Sequence, residues 1–388
     1  MKILFVSDTY YPHINGVYYF VCRIAPMLQE EGHEVAVIAP SESMSASFKK
    51  IDDIDVYGMP SFSFPFYRTI RLPLPFLKKY RLRKIIRKFN PDIIHLQDHF
   101  LISKSVLRIN RKLKIPTIAT NHFMAENLTM MVKGQKLKNY FEKFLWKDFS
   151  KVFNQVQLVT TPTETGVDII RNKLNVETIA ISSGIDLKKF TPFGDTRKIK
   201  EKYNIPDKPI LLYAGRIDPE KHIEEILQAV ALATKKIDFC FVIVGKGISK
   251  KSLEELTDKL GINEHVIFTG FVPDEDLPYF FKLSRCFIIA SIAELLSLVT
   301  LQAMASGLPI IAVKAAALVE LVKDNQNGYL YNEGDLPGLV QYIENILTND
   351  ILYEEMSMKS LELIQSHDIN KTLQSFEKIY KTYSIIKH

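Results

Sequence analysis

Two hydrogen-bonding side chains frame an apolar run in the last third of the chain. In "AELLSLVTLQAMASGLPII", residues 293–311, Glu294 supplies a carboxylate and Gln302, eight positions later, supplies an amide. An ionised carboxylate only accepts hydrogen bonds, whereas an amide has one accepting and one donating end. Which ligand such a pair binds depends on the residues around it.

Two cations follow a second apolar run, "LLYAGRIDPEKH", residues 211–222. A predicted strand ends at Gly215, Arg216 and Lys221 come next, and Pro219 marks a predicted helix start. Cations beside a helix N-terminus bind phosphate through charge, guanidinium hydrogen bonds and the helix dipole. The same residues also fit solvated charges at a helix start, so the pattern alone leaves both interpretations open.

Two loops with glycine could approach a ligand closely. "FVIVGKGIS" (241–249) runs from a predicted strand into Gly245, and "SDTYYPHINGV" (7–17) places Gly16 in a predicted positive-φ turn before a helix that starts near Val17. Such loops bring backbone N–H groups to a phosphate, but each is equally a plain turn. No dinucleotide-binding fingerprint follows the first strand and no P-loop motif occurs, which argues against nicotinamide, flavin and P-loop enzymes.

His122 ends a predicted strand in "TIATNHFMAENL", residues 117–128, and is either structural or catalytic. No second His, Cys or carboxylate stands at metal-ligand spacing from it. Asp53 and Asp55 fall at a predicted turn, and such pairs are common by chance. We therefore predict no metal site and no cofactor.

The elements that must position these residues form an α/β pattern. Short β-branched runs alternate with amphipathic stretches, which predicts parallel sheets covered by helices on both faces. The predicted strands cover residues 2–7, 33–39, 92–97, 116–122, 158–163 and 178–184, then 209–215, 238–245, 266–271, 286–291 and 309–313. Two such series predict two doubly wound domains, whose ligands bind beyond the carboxyl ends of the strands.

The predicted domains are residues 1–188 and 189–371, with a C-terminal helix at about 372–388 that packs back on the first domain. The first 188 residues carry an excess of ten positive charges and the remainder an excess of four negative charges. Cys22, Cys240 and Cys286 are isolated in apolar surroundings and are predicted to be buried and reduced. Since no apolar run is long enough to span a bilayer and no signal peptide is evident, we expect a cytoplasmic protein.

Two basic stretches of the first domain could contact a membrane. Residues 67–90 contain nine Lys and Arg and no acid, with Leu82, Ile85, Ile86 and Phe89 at helical spacing. Residues 133–149 predict a second amphipathic helix with one face formed by Leu137, Tyr140, Phe141, Phe144 and Leu145. Clustered cations bind an anionic bilayer at about 1 kcal/mol per residue. The alternative is that the apolar faces pack on the sheet and the charges are solvated; no nucleic-acid recognition motif is present.

Taken together, these loops resemble the retaining glycosyltransferases of family 4, which have the GT-B fold. "DTYYPHINGV", "NHF", "SSGIDLKKFTP", "GRIDPEK", "VGKG", "FTGFV" and "ELLSLVTLQAMASGLPIIA…ELV…NGYL" occur in the family's order over nearly the whole chain. "NHFMAENL" and "AELLSLVTLQAMASGLPI" are most similar to members that glucosylate or galactosylate diacylglycerol. The resemblance implies two Rossmann-like domains that face a cleft, a hexosyltransferase activity, and a UDP-linked sugar as the donor.

The resemblance also implies roles for individual residues. Arg216 and Lys221 would hold the donor diphosphate, Glu294 would contact the sugar hydroxyls, and His122 would lie over the sugar. Gly16 would let the N-terminal loop approach the ligands, and the loops at Gly215 and Gly245 would line the donor site. The remaining predicted contacts are backbone groups at Val272 for the base, N–H groups of Ser297, Leu298 and Val299 for the phosphate, and residue 302 for the ribose.

This chain departs from the family pattern at three places. The family usually has Glu where this chain has Gln302, and the amide loses about 1 kcal/mol of charge assistance to the ribose hydroxyls. Ser183 stands where Asn is usual, and "AVKAAALVELV" (312–322) has Ala where Gly is frequent. We expect weaker donor binding with the chemistry retained.

The resulting expectation is a metal-independent, peripheral enzyme on the inner face of the cell membrane that transfers a hexose to a lipid such as diacylglycerol. Front-face displacement, in which the departing phosphate helps to deprotonate the acceptor, would retain the anomeric configuration. Two alternatives stay open: an acceptor that is a soluble or polyprenyl-linked glycan, and a non-catalytic protein that binds nucleotide sugars.

Overall fold

The computed structural model describes residues 1–11, 15–64, 67–75, 79–125 and 134–385. The chain divides into two compact units. Unit 1 comprises Met1–Ser183 together with the C-terminal stretch from Asn370, and unit 2 comprises Gly184–Ile369. The division thus falls five residues before the boundary drawn from the sequence, because Ile185 already pairs with Asp368 of unit 2.

Unit 1 is built on an eight-stranded sheet of order β10-β9-β8-β7-β1-β2-β4-β3, in which every neighbouring pair is parallel except β3 and β4. Strands β5 and β6 form a separate antiparallel pair. The strands are β1 Lys2–Val6, β2 Glu34–Pro40, β3 Ser47–Ile51, β4 Ile54–Met59, β5 Ser61–Phe64, β6 Tyr67–Pro73, β7 Ile93–Leu96, β8 Thr117–Thr120, β9 Leu158–Thr161 and β10 Glu177–Ala180.

Unit 2 is built on a six-stranded, all-parallel sheet of order β13-β12-β11-β14-β15-β16. Its strands are β11 Ile210–Ala214, β12 Cys240–Val244, β13 Val266–Gly270, β14 Cys286–Ile289, β15 Ile310–Val313 and β16 Gly328–Tyr331. Numbered within the unit, this is the order 3-2-1-4-5-6 of a doubly wound, Rossmann-like sheet. The parallel strands of unit 1 follow the same order with one additional edge strand.

Helices of both units connect these strands. They are α1 Gly16–Glu30, α2 Lys79–Phe89, α3 Leu101–Leu113, α4 Gln135–Phe153, α5 Glu164–Arg171, α6 Arg197–Lys202, α7 Ile223–Ala233, α8 Lys250–Leu260, α9 Leu277–Leu283, α10 Leu298–Ala305, α11 Leu318–Leu321, α12 Leu336–Thr348, α13 Asp350–Leu363 and α14 Ile369–Ser384. Among the described helices, none combines the length and the apolarity that crossing a bilayer requires.

The α/β architecture predicted from the sequence is confirmed, and every predicted strand is present. Strands β3 to β6 and β16 were not predicted. The first four belong to antiparallel pairs with polar or exposed positions, so they lack the continuous apolar run of a buried parallel strand. Asp52 and Asp53 form the tight turn between β3 and β4, each with φ in the left-handed region.

Helix α14 completes the core of unit 1. Phe376 packs against Phe20 of α1 with ring centroids 5.4 Å apart. The Tyr380 hydroxyl lies 2.8 Å from His95 Nδ1 in the middle of the sheet, where burial lowers the pKa of His95 well below its usual value. After the C-terminal end of α1, His33 hydrogen-bonds Glu377 of α14 at 2.9 Å. The terminal helix therefore supports both α1 and the central strand β7.

The basic helix α2 uses its apolar face inside unit 1. Leu82, Ile85 and Ile86 are buried in the core, while most of its cations are exposed. Helix α4 behaves differently, because Leu137, Tyr140 and Phe144 are exposed and only Leu145 of the predicted face is buried. Parts of the predicted segments lie outside the described residues, namely positions 12–14, 65–66, 76–78, 126–133 and 386–388.

All three cysteines are free thiols. Cys240 and Cys286 are buried in strands of unit 2, as predicted. The prediction was wrong for Cys22, which is only half-buried because it lies at the margin of the buried face of α1, whose core residues are Phe20, Val21, Ile24, Ala25 and Leu28.

The close contact of β16 with β15 gives a test of the unit 2 fold. A Cβ atom at Gly328 would lie 1.8 Å from the carbonyl oxygen of Ile310, so Gly328→Ala must separate two strand backbones. We expect it to lower the free energy of unfolding by about 3 kcal/mol or more. Gly334→Ala is the control, because its Cβ meets no atom within 4 Å and its positive φ costs about 1 kcal/mol. Denaturant titration should separate the two variants; equal midpoints would contradict the contact.

Candidate functional site

The strand order of unit 2 reverses between β11 and β14. The charged side chains that the sequence analysis singled out lie in the loops that follow these two strands. Lys221 follows β11 in a short 3₁₀ helix, Pro219–Lys221, and Glu294 follows β14. Lys221 Nζ lies 2.6 Å from Glu294 Oε1 and 3.3 Å from the hydroxyl of Ser291. The Lys221 and Glu294 side chains are 15% and 17% exposed, so this ion pair is largely withdrawn from water.

Arg216 lies in the same loop, but it points outward. Its side chain is 65% exposed and forms ion pairs with Asp218 and, at 2.5 Å, with Glu220. The buried Tyr213 hydroxyl donates to the Arg216 carbonyl at 2.7 Å, which fixes the backbone of the loop. The guanidinium is therefore held at the surface by two carboxylates, and it would have to leave at least one of them to bind another anion.

Neighbouring strand ends pack backbone against backbone. Gly215 donates to the Val244 carbonyl and Gly245 to the Gly270 carbonyl, both at 2.9 Å. A Cβ atom at Gly245 would lie 1.8 Å from the Gly215 carbonyl oxygen, so only glycine allows this approach. Beyond β13, Val272 is buried, whereas the adjacent Phe271 is 59% exposed. Lys246 Nζ lies over the Phe271 ring, 5.1 Å from its centroid.

Helix α10 begins beside Glu294. Ser297 caps it, because its hydroxyl accepts from the Thr300 N–H at 3.3 Å and from the Thr300 hydroxyl at 2.8 Å. A helix leaves the N–H groups of its first turn without a helical carbonyl, so Leu298 and Val299 present N–H groups there. These groups and the helix dipole favour an anion at this end.

Gln302 lies one turn further along α10. Its Oε1 atom is buried and has no hydrogen-bond partner among the residues that the structure describes. A buried acceptor without a partner costs about 1–3 kcal/mol, so a ligand hydroxyl that donates to it would be stabilised. The amide can thus take the hydroxyl-binding role that the sequence predicted for residue 302.

In unit 1 the predicted turn at Gly16 is absent. Asn15 is extended and caps α1, with its side-chain oxygen 2.9 Å from the Tyr18 nitrogen. Gly16 is the first helical residue, its φ is not positive, and a Cβ atom there would meet nothing within 4 Å. The prediction of a positive-φ turn was therefore wrong, because Asn15 starts the helix by capping rather than by a left-handed turn.

His122 lies at the carboxyl end of β8, as predicted, and is held by a residue that the sequence did not single out. Its Nε2 atom is 3.0 Å from Gln97 Oε1, and its ring packs on Phe20 at 5.4 Å. Burial lowers the pKa of His122 to about 4, so the imidazole is neutral near pH 7. The Gln97 amide nitrogen and the neighbouring Asn121 amide nitrogen are buried without a partner among the described residues.

A pair of buried carboxylates lies at the carboxyl ends of β1 and β7. Asp8 accepts from the Ile102 N–H at 2.9 Å and so caps α3, while Asp98 accepts from the Asp8 N–H at 2.5 Å and from the Ser103 hydroxyl at 3.0 Å. Burial, reinforced by the neighbouring Asp98, raises the pKa of Asp8 well above its usual value. The pair joins the first loop of unit 1 to the start of α3.

The structure thus brings the predicted residues of unit 2 to the carboxyl edge of one sheet, and His122 and Gly16 to the corresponding region of unit 1. Sequence analysis missed Ser291, Gln97, Asn121 and Asp98. The available signal was their position at the carboxyl end of a predicted strand or directly after it, as in "HLQDHF" (95–100). Within the described residues, no three His, Cys, Asp or Glu side chains are grouped as they would be around a metal ion.

Two family models match successive parts of the chain. The model of the domain described as Glycosyltransferase Family 4 matches residues 14–189, and the model described as Glycosyl transferases group 1 matches residues 195–362. Alpha-monoglucosyldiacylglycerol synthase of Acholeplasma laidlawii is 30% identical over 90% of this chain and 89% of that protein. The enzyme of the same name from Streptococcus pneumoniae is 29% identical over 97% of this chain and 85% of that protein.

Solved structures share the architecture at low sequence identity. Sucrose-phosphate synthase from Thermosynechococcus elongatus superimposes with a TM-score of 0.79 at 18% identity, over 98% of each chain. Anabaena HepE in complex with UDP-glucose superimposes with a TM-score of 0.77 at 17% identity, over 98% of this chain and 100% of that chain. With two Rossmann-like units, the family motifs at the strand ends and these relatives, the chain belongs to family 4 of the glycosyltransferases and has their GT-B fold.

Proposed function

We propose that this glycosyltransferase moves a hexose, most readily glucose, from a UDP-linked donor to diacylglycerol in a membrane, with retention of the anomeric configuration. The observation that carries the proposal is the withdrawn Lys221–Glu294 pair at 2.6 Å beside the N-terminus of α10. The acceptor is suggested by the two relatives named as alpha-monoglucosyldiacylglycerol synthases, which this chain matches over at least 85% of their length.

In this proposal the cations of unit 2 bind the donor diphosphate. An ammonium has three N–H donors, and Lys221 uses two of them for Glu294 and Ser291, so one donor is left for a phosphate oxygen. Arg216 would exchange one of its carboxylate partners for the diphosphate. The N–H groups of Leu298 and Val299 would add two further donors. These groups would stabilise the negative charge that develops on the diphosphate as the sugar leaves, so a metal ion is not required.

Glu294 and Gln302 would hold the hydroxyl groups of the donor. The second carboxylate oxygen of Glu294 has no partner among the described residues, so it is free to accept from a sugar hydroxyl. The unpaired Oε1 of Gln302 would accept from a ribose hydroxyl. Retention would follow from front-face displacement, in which the acceptor hydroxyl transfers its proton to the departing phosphate oxygen while the new glycosidic bond forms.

The acceptor side of the proposal requires a membrane. The exposed cations of α2 and α4 would attract an anionic bilayer, which would place the enzyme peripherally on the inner face of the cell membrane. Because Leu82 and Ile86 of α2 are fully buried, α2 would contribute charge alone.

The test is incubation of the protein with UDP-glucose and vesicles that contain diacylglycerol and phosphatidylglycerol. Mass spectrometry should detect a monoglucosyl lipid, and the coupling constant of its anomeric proton should show the α configuration. Product formation should decrease at high salt, which screens the attraction to the bilayer. Slow release of UDP without glycolipid would point to a glycan acceptor, and binding of UDP-glucose without turnover would point to a non-catalytic protein.

Removing the ammonium of Lys221 tests the donor half. We expect Lys221→Met to lower kcat by a factor of about 10²–10³, because the departing diphosphate loses a charged partner. Lys208→Met is the matched control, since Lys208 precedes β11 at the opposite end of the sheet and pairs with Asp238. A Lys221→Met enzyme with wild-type kcat would exclude the assigned role.

Restoring a carboxylate at residue 302 tests the ribose contact. We expect Gln302→Glu to bind UDP about fivefold more tightly, since a charged acceptor adds about 1 kcal/mol. Gln326→Glu adds the same charge at an exposed position of unit 2 and should leave the affinity unchanged. Isothermal titration calorimetry measures both; equal affinity of the wild type and Gln302→Glu would contradict the contact.

The contact between Gln97 and His122 predicts a change in pH dependence. The wild-type imidazole, with a pKa of about 4, stays neutral from pH 5 upward and causes no loss of rate there. Gln97→Glu places a carboxylate beside Nε2, which raises the pKa of His122 and moves its protonation toward neutral pH. The kcat of this variant should therefore fall between pH 7 and pH 5. Gln97→Leu should lower kcat at every pH, without the additional decrease between pH 7 and pH 5. NMR titration of His122 in the Gln97→Glu variant should show the raised pKa directly.

A further inference from the structure

The exposed face of α4 is apolar in the first half of the helix and borders a basic cavity in the second half. In its first half Leu137, Tyr140 and Phe144 are 59%, 72% and 57% exposed. Their spacing of three and four residues places them on one face of the helix, and we call them the apolar stripe. Single exposed apolar residues are ordinary on a protein surface, but three adjacent ones form a patch that marks an interaction site.

In the second half of α4 the same face borders a cavity. A groove of about 200 Å³ lies between α3 and α4. We call it the basic groove; it is lined by Lys104, Arg108, Arg111, Asp148, Lys151, Val152 and Gln155. Four of these side chains are cationic and one is anionic, so the groove has a net charge of about three positive units.

The pairing inside the basic groove leaves its centre unneutralised. Lys104 forms an ion pair with Asp148 at 2.6 Å at one end, and Arg111 donates to Gln155 at 3.0 Å at the other. The side chains of Arg108 and Lys151 lie between these pairs along α3 and α4, and neither has a hydrogen-bond or ion-pair partner among the described residues. A guanidinium and an ammonium that line the same groove suit a phosphate group, because the planar guanidinium and the compact ammonium can donate to different phosphate oxygens.

The dimensions suit a lipid headgroup. Measured in this way, a cavity needs only about 10–15 Å³ to hold one water molecule, so a groove of about 200 Å³ has room for a phosphodiester. Lys151 follows Phe144 by seven residues on the same helix face, which is about 10 Å along the axis. The apolar stripe and the basic groove therefore lie one after the other on the same face of α4, so a bilayer that contacts the stripe places lipid headgroups beside the groove.

We propose that the basic groove between α3 and α4 binds the phosphodiester headgroup of an anionic phospholipid while the apolar stripe enters the bilayer interface. The inference rests on the proposed membrane-lipid acceptor. It assigns to α4 a specific lipid contact, in contrast to α2, whose apolar face is committed to the core. The complementarity of charge selects an anionic phospholipid over a neutral one.

Vesicle sedimentation in the absence of any nucleotide sugar tests this site, so the result does not depend on transfer activity. The full-length protein is mixed with phosphatidylcholine vesicles that contain or lack phosphatidylglycerol. The double variant Arg108→Gln/Lys151→Gln should bind the anionic vesicles about thirtyfold less well, at about fivefold per cation. The control Lys112→Gln/Lys371→Gln removes the same charge from exposed positions of unit 1 outside the groove and should lose less than about threefold.

Equal losses in the two double variants would mean diffuse attraction alone and would overturn the proposal, as would wild-type binding by the groove variant. Phe144→Ser should weaken binding about tenfold, whereas Phe48→Ser, an equally exposed residue of β3, should not. Binding of free glycerol phosphate to the groove, with vesicle binding unchanged in the groove variant, would assign the site to a soluble phosphate instead. Thermal melts by circular dichroism verify that each variant is folded.

Discussion

The ion pair between Lys221 and Glu294 is the interaction on which the arrangement of unit 2 depends. Both side chains are more than four-fifths withdrawn from water, and removal of either would leave an uncompensated charge in a poorly solvated place. The pair spans the two strands at which the sheet order reverses, so it holds the loop after β11 against the loop after β14. Glu294 also accepts from the Ala317 N–H through its carbonyl, which ties in the segment after β15. Because α10 begins four residues after Glu294, the same pair of opposite charges also places Lys221 close to the first turn of this helix.

In unit 1, by contrast, polar side chains are buried in a layer that excludes most water. His95 hydrogen-bonds Tyr380 of α14 and Thr120 of β8, and the ring of Phe20 lies against both His95 and His122. Burial keeps these imidazoles neutral, so they act as hydrogen-bonding groups rather than charges. The C-terminal helix is part of this layer. The chain therefore has to return from unit 2 before the surroundings of His95 are complete.

The positive charge of unit 1 is distributed over helices with different tasks. Helix α2 buries its apolar face and leaves its cations outside, whereas α4 buries only its second half and exposes apolar side chains in the first. Two helices with similar basic, amphipathic sequences thus meet the solvent differently. The difference arises because Leu82 and Ile86 contribute to the core under the sheet, while Leu137, Tyr140 and Phe144 precede the part of α4 that reaches it. The net charge alone would not have separated a helix whose apolar face is buried in the core from one that exposes part of its apolar face.

By itself, the sequence determined the class of the fold, the predicted strands and the residues at their carboxyl ends, because buried parallel strands leave continuous apolar runs that local patterning reveals. It also singled out Arg216, Lys221, Glu294 and Gln302 by type and order. Only the tertiary structure decided that Lys221 pairs with Glu294 across 73 positions, that Arg216 is held at the surface by Asp218 and Glu220, and that Gln97 supports His122. The hairpins of β3 to β6 and the basic groove could not be predicted from the sequence either. Their pairing depends on which segments meet in space, and neither apolar periodicity nor residue spacing along the chain carries that information.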